Sequence, residues 1–145
     1  MARLVLSILA GVIVAFALVF ASDWLFHMLV PSASAVPASA NDPEAMAAYV
    51  AAQPMGVLVG LALGWAIAAF VGTAIAARFV GRAWPGWFVG AIVLLATAFN
   101  FVMIPHPTWM VALALVAIVA ATWLGARLGR RRLRAPDGID ALRRP

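Results

Sequence analysis

Asp23, His27, Asn100 and His106 are the residues of this largely apolar chain whose types could do chemistry. Asp23 and His27 are four apart, which on a helix puts them on one face within pairing distance. Asn100 precedes a Pro105-His106-Pro107 turn, with Thr108 beside it. Imidazole and carboxylate together are a ligand set for a divalent metal, although the residues do not name which one. The same groups could relay protons, because histidine titrates near neutral pH and a carboxylate neighbour raises its pKa. Asp42 and Glu44 fall in the connection on the same side, so two histidines, up to three carboxylates and an amide could converge at one mouth.

Other chemistries find no residues. The absence of cysteine excludes disulfides, thiolate metal ligands and cysteine nucleophiles. There is no serine with a plausible base, no HExxH, no glycine-rich phosphate loop before a helix, and no pair of carboxylates deep in an apolar stretch. The expectation is a protein that is not an enzyme and needs no cofactor.

The elements that must position these residues are membrane spans. The chain has 145 residues, 66% hydrophobic and 10% charged, where a soluble domain carries about a quarter charged residues. A soluble fold of this size could not cover its surface, whereas lipid accepts an apolar exterior. Crossing the hydrocarbon core takes about 20 consecutive apolar residues in a helix. Four stretches meet that need, at about 4–30, 55–77, 85–104 and 108–127. The last two connections are short enough to force antiparallel neighbours. The fold class expected is an all-α integral membrane protein, a four-transmembrane-helix bundle over 1–128 with a short amphipathic helix in the outer loop 31–54. That helix begins at Asp42-Pro43-Glu44, a cap followed by a first-turn proline and acid. Either it lies on the bilayer surface, the simpler reading, or it forms a lid over a pocket. Residues 129–145 read as a basic, disordered tail.

Charge sets the orientation. All ten basic residues are arginine: Arg3 before the first stretch, Arg78 and Arg82 between the second and third, and the rest from Arg127 onward. The positive-inside rule then puts both termini in the cytoplasm. Trp24 and Trp109 mark the outer boundary and Trp84, Trp87 and Trp123 the inner one, leaving Trp65 inside a span. Arginine and alanine bias suggests a bacterial inner membrane. A rival reading makes residues 1–21 a signal peptide cut after Ala21, but the apolar run exceeds the usual length of about 7–15 residues. At 1.5 Å per residue Asp23 stands about 28 Å above Leu4, which places it at the outer interface, where a hydrated charge needs no function.

The most regular pattern is a stripe of small residues, Gly56, Gly60, Gly64, Ala68, Gly72 and Ala76, with Gly86 and Gly90 repeating it in the third span. Such a groove lets two helices approach backbone to backbone. It serves packing within the bundle or association with a partner, a second copy or a larger membrane complex, and the internal use is the simpler. Arg127, Arg130, Arg131, Arg132 and Arg134 form a cluster suited to anionic lipid headgroups, at about 1 kcal/mol per charge. The basic residues are not spread over a globular face, so nucleic acid is not expected. The leading functional expectation is a non-catalytic structural or accessory protein acting through helix packing. The second is an ion- or proton-linked transporter or sensor using Asp23, His27, Asn100 and His106.

Overall fold

The computed structural model describes residues 1–29 and 42–130, which form five helices. These are α1 (Ala2–Leu29), α2 (Pro43–Ala51), α3 (Met55–Val80), α4 (Trp84–Met103) and α5 (Thr108–Gly129). All except α2 are long and apolar enough to cross a membrane, and they pack together as one bundle. The chain is therefore an all-α membrane protein of four candidate spans with a short helix between the first two. The basic tail beyond residue 130 and the start of the loop, 30–41, lie outside the described residues.

Prolines and a glycine punctuate the helices. Pro54 and Pro107 immediately precede α3 and α5, and Pro43 and Pro85 occupy first turns, where a missing N–H costs nothing. α3 ends on Gly81, whose φ of 72° lies in the left-handed region and whose N–H donates to the Ala77 carbonyl at 2.8 Å. α3 and α5 run slightly past the stretches read from the sequence, to Val80 and Gly129, with Arg78 and Arg127 in their last turns. A cation in the last turn suits the negative end of the helix dipole, so charge does not stop the helix there.

α2 starts as its sequence predicts, with the Asp42 carboxylate accepting from the N–H groups of Glu44 and Ala45, both at 3.1 Å. Its other end does more than rest on a surface. Val50 is buried in the same core as Leu58, Trp65 and Met110, and Tyr49 packs against that core.

α3 is the central helix and packs on α1, α4 and α5, while α1 and α5 each also touch α4. The stripe on α3 faces α1: a Cβ on Gly60 would meet Phe26, one on Gly64 would meet Ser22 at 2.8 Å, and one on Gly72 would meet the Gly11 carbonyl at 2.6 Å. These contacts run α1 antiparallel to α3. On the neighbouring interfaces, Gly86 approaches the Thr73 carbonyl and Ala126, and Gly90 approaches Thr122. Gly56 has nothing within 4 Å. In lipid no hydrophobic force holds helices together, so these backbone approaches supply the dispersion contacts that do. Hydroxyls at the interfaces are satisfied by their own helices: Ser7 donates to the Leu4 carbonyl at 2.7 Å, Ser22 to Val19 at 2.8 Å and Thr73 to Phe70 at 2.9 Å. Large side chains such as Phe20, Leu95 and Val116 point outward, as do all tryptophans except Trp65.

The resulting order places Arg3, Arg78, Arg82, Arg127 and Arg130 at one end of the bundle. α2 and the Ile104–Thr108 turn lie at the opposite end, called here the His106 end.

Candidate functional site

Asp23 is the only acid in the four candidate spans. It lies one residue from Ser22, which faces Gly64, so the packing of α1 on α3 brings it beside Trp65. The Trp65 indole N–H donates to Asp23 Oδ1 at 3.0 Å. Trp65 itself is buried, 7% exposed, on the face of α3 turned into the bundle.

This register pairs Asp23 with a residue well inside α3. Trp65 lies ten residues into α3, about 15 Å from Met55 at 1.5 Å per residue. Asn100, across the site, is three residues from the end of α4, about 4.5 Å. Asp23 itself is three residues from the end of its candidate span, Ala2–Phe26, and the packing of α1 on α3 turns its carboxylate toward Trp65.

Asp23 lines a cavity of about 190 Å³ between α1, α3 and α4. Phe16, Val19 and Phe20 of α1 form one wall, Trp65 the floor, and Val93, Ala96, Thr97 and Asn100 of α4 the opposite wall. Phe20 is 69% exposed and stands at the rim. Asn100 brings the second polar group. Its carbonyl Oδ1 is buried and, among the described residues, has no hydrogen-bond partner. Unlike serine or threonine, its longer side chain does not fold back on its own helix here.

His106 joins the group indirectly. Its ring packs edge-on against Phe101, with centroids 5.0 Å apart, and against Trp65 at 6.4 Å, while Trp65 and Phe101 are 5.8 Å apart. Nδ1 lies 2.6 Å from the Ile104 carbonyl, which can only accept, so Nδ1 carries the proton and Nε2 is the basic atom. Burial pushes the His106 pKa below its ordinary value, and the bond to Ile104 offsets only part of that. Since the folded chain takes up this proton less readily than the unfolded one, folding stability falls as pH drops through about 6.5, and levels off below the folded pKa. The thermal unfolding midpoint of purified protein is thus expected to hold between pH 8 and 7 and to decline toward pH 5.5. His106→Gln should flatten that decline, and an unchanged slope in the variant would refute the assignment.

Of the four predicted residues, Asp23 and Asn100 share the cavity, and His106 reaches it through Trp65 and Phe101. The side chain of His27 lies outside the described residues. Among the described residues no three His, Cys, Asp or Glu side chains gather as a metal site. The loop acids Asp42 and Glu44 are exposed, with Asp42 engaged in capping α2. Sequence reasoning missed Trp65, Thr97 and the phenylalanine wall. Trp65 carried a usable signal: an indole N–H inside a span needs an acceptor, and the spans offer a single carboxylate.

No family model matches the sequence, no curated protein shows significant similarity to it, and no solved structure matches its fold.

Proposed function

We propose that the chain is a non-catalytic membrane protein of the transporter or sensor class, binding a positively charged solute in the α1–α3–α4 cavity with Asp23 as its counter-charge. One observation carries this reading: the only acid of the four candidate spans lines a cavity within the bundle instead of an outer surface. An acid within a candidate span marks a pathway or binding site by default. Phe16, Phe20 and Trp65 also line the cavity, and aromatic rings can bind a cation over their faces. Size agrees, because an apolar cavity of about 150 Å³ already accommodates benzene.

The accessory or self-associating role that the sequence suggests first is weakened as a use of the α3 stripe, since α1 fills that groove from Gly60 to Ala76. Such a role would need the lipid-facing surface instead.

On this reading the arginine end is cytoplasmic by the positive-inside rule, both termini lie in the cytoplasm of a bacterial cell, and the cavity lies in the outer half of the inner membrane. Arg127 and Arg130, with Trp87 and Trp123, line a notch at the cytoplasmic end that suits an anionic lipid headgroup. The Arg127 guanidinium rests 5.0 Å from the Trp123 ring centre. Arg131, Arg132 and Arg134 would extend this cluster but lie outside the described residues.

The test is calorimetric titration of the detergent-purified protein with benzylammonium and with benzyl alcohol, its uncharged counterpart. Binding of the cation alone is the expected result. Equal binding of both, or of neither, would overturn the proposal.

A further inference from the structure

We propose that the α4–α5 face of the bundle holds one anionic phospholipid at a fixed site, its phosphate between Arg127 and Arg130 and an acyl chain along the groove beyond Trp87 and Trp123. The site lies at the arginine end, away from the Asp23 cavity, and does not depend on what that cavity binds.

A shaped notch distinguishes this place from general attraction to a charged tail. Arg127 and Arg130 are three apart at the end of α5 and so share a helix face. With Ala83, Trp87 and Trp123 they line a notch of about 160 Å³. The Arg127 guanidinium stands over the Trp123 ring, 5.0 Å from its centre, which steadies the side chain and leaves its N–H edges for a ligand. Among the described residues neither arginine has a carboxylate partner, since the described acids, Asp23, Asp42 and Glu44, lie toward the His106 end. Guanidinium groups match phosphate oxygens, and each planar fork can donate to two of them at once.

Two apolar hollows continue from the notch. Trp87 lines both, Trp123 lines one, and Val119 belongs to each. They exist because α4 and α5 meet through small residues: Gly90 approaches Thr122, while Ala91 and Ala120 leave space between larger neighbours. From Arg127 to Leu115 the track covers twelve residues of α5, about 18 Å at 1.5 Å per residue. That is about the depth of one leaflet, half of a hydrocarbon core about 30 Å thick. The two indoles between charged notch and apolar track stand where tryptophan settles, at the headgroup boundary. Charge, ring belt and apolar track thus follow one another in the order of a phospholipid. A free phosphate ion would use the notch alone.

Native mass spectrometry of the full chain in detergent, titrated with dioleoyl phosphatidylglycerol or with phosphatidylcholine of the same chains, reads this out. The wild type should hold one phosphatidylglycerol about tenfold or more tightly than the zwitterionic lipid. Arg127→Gln with Arg130→Gln should lose that preference, as expected when charge-assisted bonds to phosphate are removed. Arg131→Gln with Arg132→Gln should keep most of it. Val119→Trp fills the track without touching a charge and should weaken phosphatidylglycerol binding severalfold. Val119 is 51% exposed, so the bundle tolerates that change. Equal wild-type affinity for the two lipids would overturn the site. An equal loss from either arginine pair would also overturn it, because the attraction would then be diffuse. Undiminished binding by Val119→Trp would overturn it as well, leaving a headgroup contact with no seated chain.

Discussion

Gly72→Leu is expected to unfold the bundle, and Gly56→Leu to leave it intact. The two glycines belong to the same stripe and differ only in what faces them. A Cβ at position 72 would stand 2.6 Å from the Gly11 carbonyl oxygen and 2.8 Å from the Ala15 Cβ. The approach is mutual, since a Cβ on Gly11 would stand 2.7 Å from the Gly72 carbonyl. Backbone cannot rotate away as a side chain can, so α1 would have to lift off α3 along much of its length. Overpacking costs about 1–3 kcal/mol even for a few added methylenes, and a whole leucine against backbone exceeds that. A total stability of about 5–15 kcal/mol leaves little margin. Gly60→Ala should be milder than Gly72→Leu, because its obstacle is the far end of the Phe26 ring. At Gly56 nothing lies within 4 Å, so leucine there should change stability by no more than about 0.5 kcal/mol. Unfolding by titration with sodium dodecyl sulfate ranks the variants. A Gly56→Leu protein as fragile as Gly72→Leu would mean that another chain covers that end of the stripe, and would revive the self-association reading.

The same contacts explain which parts of the molecule could be read from its residues. The spans were legible because apolar length, first-turn prolines and Gly81 fix where each helix can run, whatever it packs against. The cap at Asp42 was legible for the same reason, being a matter of three consecutive residues. Depth and facing were not. Where Asp23 sits depends on α1 docking with Gly11 against Gly72 and Ser22 against Gly64, a register that no local pattern states. Asn100 was recognisable as the amide nearest the interior of its span, but whether a neighbour would satisfy it depends on three helices at once. His106 was expected near Asp23, and its link to the site through Trp65 and Phe101 is a packing result. The docking of Val50 likewise needed the bundle end to be in place.

On the proposed function Asp23 has two duties, and two substitutions should separate them. One is structural: Oδ1 accepts the buried Trp65 N–H at 3.0 Å. The other is to supply negative charge to the cavity. Asp23→Asn keeps the shape and an amide carbonyl able to accept from Trp65, but removes the charge. It should fold with stability close to wild type and lose benzylammonium binding by at least tenfold, since hydrogen bonds between charged partners contribute about 1.5–3 kcal/mol, the equivalent of roughly 10- to 150-fold. Asp23→Leu removes both. It leaves the indole N–H without its acceptor, at a cost of about 1–3 kcal/mol, and should lower the unfolding midpoint as well as abolish binding. Trp65→Phe supplies the converse control, because it deletes the donor and leaves the charge. If Asp23 acts only as a structural acceptor, Asp23→Asn will bind the probe as the wild type does. If the charge is what the cavity is built around, affinity will follow the carboxylate and stability will follow the Trp65 bond, and only Asp23→Leu will lose both.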